Sequence, residues 1–181
     1  MAPPRPAPKN AIKPPPHRKR IIVAMTGASG AILGVRVLMA LRHLNVETHL
    51  IMSKWARHTI DSEVIGWDST KLHNYAQHVY DIDDMEARIA SGSFRVDGMI
   101  VVPCSMKTLA AIYNGLCDNV ITRAADVCLK ERRRLVLVTR ETPLSEIHLR
   151  NMLGVTRAGA VVFPPCAGVL HRGDFGGRSG E

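Results

Sequence analysis

The stretch RIIVAMTGASGAILG, residues 20–34, decides the fold of this chain. Its apolar run, residues 21–25, is typical of a strand buried on both faces of a parallel sheet. Small residues follow, and apolar residues at helical spacing begin at Ala31. This order of strand, tight turn and helix favours an anion pocket, because the first N–H groups of the new helix face the ligand.

The turn by itself does not identify a ligand. Its glycines, Gly27, Gly30 and Gly34, do not have the spacing of the dinucleotide fingerprint G-x-G-x-x-G. A tight strand-to-helix turn without any ligand therefore stays open beside a phosphate or nucleotide pocket.

The rest of the chain alternates between strand and helix patterns. Strands are predicted over residues 21–25, 47–52, 98–102, 135–139 and 160–163, and helices over 31–44, 54–65, 83–90, 105–113, 119–131 and 145–158. Residues 66–80 are predicted to form a loop with a short helix. The alternation predicts an α/β fold with a parallel sheet, right-handed crossovers and helices on both faces.

Composition divides the chain into three parts. The length of 181 residues with 46% hydrophobic residues suits one domain, predicted over residues 20–165. Residues 1–19 contain seven prolines and are predicted to be a disordered basic arm, and residues 166–181 a disordered glycine-rich tail. Since no run approaches the roughly 18 apolar residues of a membrane span, none is predicted.

The positive charge lies mostly in the arm. Residues 1–20 hold six Lys or Arg and no acid, so the remainder has 24 − 6 = 18 basic against 16 acidic residues. A nearly neutral domain does not favour a nucleic-acid-binding face. A basic arm without acids favours a mitochondrial location, but its prolines oppose an amphipathic presequence helix, so a cytoplasmic location stays open.

The cysteines give no sign of a metal site. Four cysteines are widely spaced and form no C-x-x-C pair, so neither zinc ligation nor a disulfide framework is expected. Free cysteines without a disulfide framework are typical of proteins in a reducing compartment.

The unusual polar residues cluster in the loops that follow the predicted strands. In a parallel sheet these loops meet at the carboxyl edge, where ligands bind. The segment PCSMKT, residues 103–108, offers hydroxyls and one lysine at a helix N-terminus, which suits an anion or an ordinary helix cap. Arg123, beside two alanines, could lie close to a flat ligand and donate two hydrogen bonds.

The segment RETP, residues 140–143, follows the fourth predicted strand. A glutamate at a strand's carboxyl end, between an arginine and a loop proline, is placed where a proton donor or acceptor would be. A surface pair of Arg140 and Glu141 is the alternative interpretation.

Several segments together resemble the flavin prenyltransferase family, formerly called phenylacrylic acid decarboxylases. The matching segments are MTGASGAILGVR (25–36), ETHLIMSKWA (47–56), SGSF (91–94), VVPCSMKTLA (101–110), DNVITRAADVCLKERRRLVLVTRETP (118–143) and NMLGVTRAGAVVFPP (151–165). They agree with the family in order and spacing over most of residues 20–165.

The resemblance implies a flavodoxin-like (Rossmann-like) three-layer α/β/α fold that assembles into a homododecamer with active sites between subunits. It implies an enzyme that binds FMN and transfers a dimethylallyl group from dimethylallyl phosphate to N5 and C6 of the reduced flavin, without a metal. The prenylated flavin would then serve a partner decarboxylase.

The resemblance also implies site residues by position. The residues corresponding to FMN contacts are Gly27, Ala28, Ser29, Ser53, Ser105, Met106, Lys107, Thr108 and Arg123. Those corresponding to prenyl-phosphate and proton-handling residues are Glu63, Lys130, Arg140 and Glu141, and Ser29 is also expected to take part in catalysis.

The chain departs from the family pattern after residue 165. Leu170 stands where the family has a tyrosine that contacts the prenyl phosphate. The sequence that follows Leu170 lacks the pattern of the family's final helix. Two alternatives therefore stay open: an FMN-binding subunit without catalytic activity, and an FMN-dependent decarboxylase of the peptidyl-cysteine type.

Overall fold

The computed structural model describes residues 18–165 of the chain. The strands are β1 (Arg20–Met25), β2 (Glu47–Met52), β3 (His78–Tyr80), β4 (Gly98–Cys104), β5 (Arg134–Thr139) and β6 (Val161–Val162). The α-helices are α1 (Ala31–His43), α2 (Lys54–Glu63), α3 (Met106–Tyr113), α4 (Val120–Lys130) and α5 (Glu146–Arg157). Two 3₁₀ segments, Ser69–Tyr75 and Arg88–Ala90, lie in the connections around β3.

The strands form one parallel sheet in the order β3-β2-β1-β4-β5-β6. This is the doubly wound order of Rossmann folds, and the five strands other than the short edge strand β3 lie in the flavodoxin-like order. The predicted α/β class, parallel sheet and flavodoxin-like architecture are therefore confirmed. The direction of strand order reverses between β1 and β4, which creates a crevice at their carboxyl ends.

The two faces of the sheet bury separate aliphatic cores, as the alternation of side chains along a strand requires. From β1, Ile22 and Ala24 pack with residues of α3, α4 and α5. Val23 and Met25 point to the other face and pack with α1 and α2. The sheet is therefore covered on both faces, which explains the continuous apolar runs within β1, β4 and β5.

Helix α1 lies unusually close to the sheet at Gly34. A Cβ atom there would lie 2.6 Å from the carbonyl oxygen of Val102 and 2.3 Å from Cε of Met25. Only glycine fits this approach, so the third glycine of the opening motif serves helix packing. The close contact positions the start of α1 against β1 and β4.

The predicted helix over residues 83–90 is wrong. That segment forms successive turns that end in a short 3₁₀ segment at Arg88–Ala90. The Asp81 carboxylate accepts a hydrogen bond from the Asp83 N–H at 3.0 Å, and such local side-chain bonds compete with helix formation.

The edge strand β3 was not predicted, since residues 66–80 read as loop and short helix. His78, Val79 and Tyr80 pair with residues 49–51 of β2. This pairing joins segments about 30 residues apart, so the local pattern of a three-residue strand carries too little signal to reveal it.

Among the described residues, no helix is long and apolar enough to cross a membrane. The arm up to residue 17, the tail from residue 166 and Leu170 lie outside the described residues, so the predictions made for them stay predictions.

Candidate functional site

Thr26 joins the loops after β1 and β4 by hydrogen bonds at the switch point, which is the place where the strand order reverses between these two strands. Its hydroxyl donates to the Pro103 carbonyl oxygen at 2.9 Å and accepts from the Ser105 N–H at 2.8 Å. The Thr26 N–H also donates to the Pro103 carbonyl oxygen at 3.1 Å. Thr26 is buried, so these bonds are shielded from water and hold the two loops in one arrangement.

Helix α3 presents its N-terminus at this junction. Ser105 is its N-cap: the Ser105 hydroxyl oxygen accepts a hydrogen bond from the Thr108 N–H at 3.3 Å. Met106 and Lys107 form the first turn, where N–H groups have no partner inside the helix. With the exposed Lys107 beside them, these groups suit a phosphate.

A third loop joins the same edge through Ser53 and Trp55. The Ser53 N–H donates to the Met25 carbonyl oxygen at 3.0 Å, and the Ser53 hydroxyl caps α2 by accepting from the Ala56 N–H at 3.0 Å. The Trp55 side chain lies so close to Gly27 that a Cβ on Gly27 would be 2.3 Å from Trp55 Cβ. The indole is largely exposed and offers an apolar surface next to the glycine turn.

The N-terminus of α1 differs from the expected anion pocket. Glu63, at the end of α2, places Oε2 at 2.9 Å from the Gly30 N–H and 3.4 Å from the Ala31 N–H. Its carboxylate therefore occupies the donors that the sequence motif assigned to a ligand phosphate. A negative side chain is favourable there because it complements the positive end of the helix.

The loop after β5 reaches the same edge. The Arg140 N–H donates to the Cys104 carbonyl oxygen at 3.4 Å, which places Arg140 and Glu141 beside the end of β4. Glu141 is exposed, and its Oε1 accepts from the Thr142 N–H at 3.1 Å. Both residues therefore lie at the carboxyl edge of the sheet.

The structure does not bring Lys130 to this crevice within one subunit. Lys130 ends α4, just before β5 begins at Arg134, so it lies at the amino edge of the parallel sheet. There its ammonium group pairs with Glu131 beside Gly92. The length of β5, about 17 Å, separates the two edges.

Arg123 is held by the segment before β4. Its Nε donates to the Ala90 carbonyl oxygen at 3.2 Å and its Nη1 bonds to Asp126 at 2.7 Å. These contacts fix the guanidinium without joining it to the loops after β1 or β2. Its predicted role as a flavin contact stays a prediction.

The buried cysteines are poorly suited to be nucleophiles. Burial raises the pKa of the Cys104 thiol to about 12. Burial raises the pKa of Cys128 to about 11, and Arg133 nearby lowers it only slightly. At neutral pH both thiols are protonated, so neither supplies a reactive thiolate.

Three residues of this edge were not singled out from the sequence. Thr26 lies within the quoted glycine turn, yet its clamp depends on a partner 77 residues away. Trp55 adjoins the predicted Ser53, but its contact with Gly27 is tertiary. Thr139 ends an apolar strand, and its buried hydroxyl has no partner among the described residues. The sequence signal that could have identified Thr139 is a polar residue at the carboxyl end of an apolar strand.

These features fit the phosphate of FMN. The capped N-terminus of α3, the Lys107 ammonium group and the hydroxyl of Ser105 are donors suited to a phosphate. The unpartnered Thr139 hydroxyl adds a buried polar group at the same edge.

Comparison with known proteins agrees with this fit. The Flavoprotein family model matches residues 12–178. The yeast mitochondrial flavin prenyltransferase PAD1 (Saccharomyces cerevisiae) is 56% identical over 151 residues, which cover 83% of this chain and 62% of that protein. The match thus spans less than two thirds of the yeast protein's length.

Two solved structures are also close. AnUbiX (PadA1), determined in complex with FMN and dimethylallyl pyrophosphate, is 68% identical with a TM-score of 0.82, covering 83% of this chain and 79% of that one. A dodecameric FMN-dependent UbiX-like decarboxylase from Escherichia coli O157:H7 is 55% identical with a TM-score of 0.80, covering 81% of this chain and 80% of that one. Together with the family model and the yeast relative, they establish that this chain belongs to the Flavoprotein family and, within it, to the UbiX-like flavin prenyltransferases.

Proposed function

We propose that this protein is a flavin prenyltransferase that joins a dimethylallyl group to N5 and C6 of reduced FMN. The observation that carries the proposal is the 68% identity to AnUbiX, whose structure contains FMN and dimethylallyl pyrophosphate. The carboxyl-edge crevice supports it, because loops after β1, β2, β4 and β5 converge there with donors suited to an anion.

The proposed FMN contacts divide between two parts of the crevice. The phosphate is assigned to the N-terminus of α3, with Ser105, Met106, Lys107 and Thr108, because Glu63 already occupies the N-terminus of α1. The turn residues Gly27, Ala28 and Ser29 are assigned to the ring, together with Ser53 and Arg123. Bound reduced flavin supplies the nucleophilic atoms of the reaction.

The charged residues have complementary proposed tasks. Dimethylallyl phosphate loses its phosphate when the bond between its allylic carbon and the ester oxygen breaks. Cations near the departing phosphate stabilise its growing negative charge, which is the task proposed for Arg140 and Lys130. A carboxylic acid can protonate that oxygen, which is the task proposed for Glu141, with Glu63 and Ser29 as further proposed participants.

If Lys130 takes part in catalysis, as proposed, the active site needs more than one subunit. Since Lys130 lies at the amino edge, it reaches a crevice only if another copy's crevice packs against that edge. The dodecameric E. coli relative supports such an assembly. Exposed apolar side chains on and before α5 (Leu144, Ile147, Leu149 and Leu153) are candidates for its contacts.

The product and compartment follow from the same proposal. Prenylated FMN would pass to a partner decarboxylase that uses it as its cofactor. A mitochondrial location is proposed on the name of the yeast relative and the basic arm, with a cytoplasmic location as the alternative.

The decisive experiment is an anaerobic incubation with reduced FMN and either dimethylallyl phosphate or dimethylallyl pyrophosphate. Mass spectrometry of the released flavin should show the mass of one added prenyl group. Flavin binding without transfer from either donor would contradict the proposal and favour the non-catalytic FMN-binding subunit, for which Leu170 is the motivating residue.

The peptidyl-cysteine decarboxylase alternative rests on fold alone. The FMN-dependent cysteine decarboxylase SpaF is 18% identical with a TM-score of 0.64. Carbon dioxide released from a peptide with a C-terminal cysteine, without any prenyl donor, would favour that alternative.

A further inference from the structure

Three potential metal ligands meet at the amino edge of the sheet, away from the flavin site. Glu47 begins β2, His49 lies two residues further along it, and His78 begins the neighbouring strand β3. Their ligand atoms all lie within 4.8 Å of one another. The length of β2, about 17 Å, separates this edge from the carboxyl edge where FMN is proposed to bind.

Two of the three separations between these atoms suit one small cation. Glu47 Oε1 lies 3.2 Å from His49 Nε2 and 3.6 Å from His78 Nε2. Ligands about 2.1 Å from a tetrahedral zinc ion are about 3.4 Å apart, which agrees with both separations. We propose that Glu47, His49 and His78 bind one divalent transition-metal ion of the zinc class, which fastens β3 to β2.

Two of the ligands have the outer partners that metal sites require. Tyr80 places its hydroxyl 2.9 Å from His49 Nδ1, so it can accept the Nδ1 proton and leave the Nε2 lone pair facing the metal. Arg20 Nε bonds to Glu47 Oε2 at 2.9 Å, which orients the carboxylate with Oε1 toward the imidazoles.

One of the two histidine ligands is buried and the other is partly exposed, which suits a metal site that an ion can enter from solvent. The His49 side chain is fully buried and its ring packs against His78 and Phe94, whereas His78 is 41% exposed and leaves an entry path.

The chemistry of the ligands selects the metal. Two imidazoles and one carboxylate favour zinc and similar transition metals over Mg²⁺ or Ca²⁺, which prefer oxygen ligands. Three protein ligands leave a fourth position for water on the side of the exposed His78. The edge strand β3 has only three residues, so a metal link to β2 would stabilise its pairing.

The test uses the full chain, stripped with a chelator and dialysed against Zn²⁺ or Co²⁺. We expect one metal ion per chain and visible d–d absorption from bound Co²⁺. His78→Ala should weaken binding at least tenfold, and Tyr80→Phe should weaken it about 10–100-fold by removing the outer partner of His49. His43→Ala, which alters an exposed histidine on α1, should bind as the unmodified chain does.

Circular dichroism and FMN binding verify that the variants fold, and His78→Gln provides a second test without a large change in volume. Metal binding by His78→Ala and His78→Gln with the affinity of the unmodified chain would overturn the proposal. So would the absence of a stoichiometric metal ion in the unmodified chain. Neither result would by itself contradict the proposed prenyltransferase function, which is tested separately by prenyl transfer to reduced FMN.

Discussion

The Thr26 hydroxyl joins the two loops of the switch point by donating to Pro103 and accepting from Ser105. Ser105 is also the N-cap of α3, so the clamp sets where that helix begins relative to the glycine turn. A single buried side chain thus couples the two loops that are proposed to hold FMN.

Replacing Thr26 with valine should weaken both the fold and flavin binding. The change keeps the shape of the side chain but leaves the Ser105 N–H without its partner, which costs about 1–3 kcal/mol of unfolding free energy. We also expect FMN to bind at least several-fold more weakly, measured by quenching of flavin fluorescence.

Thr26→Ser is the matched control, because it keeps the hydroxyl. It should retain most of the FMN affinity lost in Thr26→Val. Equal affinity in the valine variant and the unmodified chain would show that the clamp does not position the flavin site.

Removing the carboxylate of Glu63 should destabilise α1. Glu63→Ala leaves the Gly30 and Ala31 N–H groups without their carboxylate partner, and we expect a loss of about 1 kcal/mol in chemical denaturation. Glu86→Ala, at an exposed position on a loop, should change the unfolding free energy by less than about 0.5 kcal/mol.

Glu63→Gln separates the capping role from the proposed catalytic one. Its amide oxygen can still accept from the helix N-terminus, but it cannot exchange a proton. A normal rate of prenyl transfer in this variant would restrict Glu63 to a structural role.

Mixing two inactive variants should restore activity if Lys130 acts in a neighbouring subunit's site. Lys130→Ala and Glu141→Gln should each bind FMN but transfer the prenyl group at least tenfold more slowly. When the two are dissociated and reassembled together, some sites combine an intact Lys130 with an intact Glu141. Transfer in the mixture should then exceed that of either variant, whereas no gain would place both residues in one subunit's site or outside catalysis.

Leu153→Asp should dissociate the proposed assembly. Leu153 lies on α5 and is 52% exposed in the single chain, so a charge there should cost little in folding but oppose burial between subunits. Light scattering should show smaller particles, and prenyl transfer should fall because Lys130 no longer reaches a second subunit's crevice. An intact dodecamer would exclude Leu153 from the contacts.

The buried thiols should resist alkylation in the folded protein. Because burial raises the pKa of Cys104 to about 12 and of Cys128 to about 11, almost no thiolate forms at pH 8. Iodoacetamide followed by peptide mass spectrometry should leave both unmodified until denaturant is added. Rapid labelling of native Cys104 would show that this part of the core opens.

The local pattern of the sequence predicted most of the fold. Strands β1, β2, β4 and β5 were predicted, and α1 to α5 began within one residue of their predicted starts. The helix predicted over residues 83–90 failed because an aspartate side chain satisfied a backbone N–H locally. β3 escaped prediction because its three residues become a strand only by pairing with β2.

The sequence by itself determined the α/β alternation, the loops that form the crevice and the family to which the chain belongs, because hydrophobic periodicity and loop chemistry are local in the chain. Only the tertiary structure decided which groups meet. In the folded chain, Glu63 accepts a hydrogen bond at the N-terminus of α1, and Lys130 lies at the amino edge of the sheet. Glu47 and His49 on β2 lie next to His78 on β3. The physical reason is that the order of the strands, which no local pattern encodes, fixes the distances between residues remote in sequence.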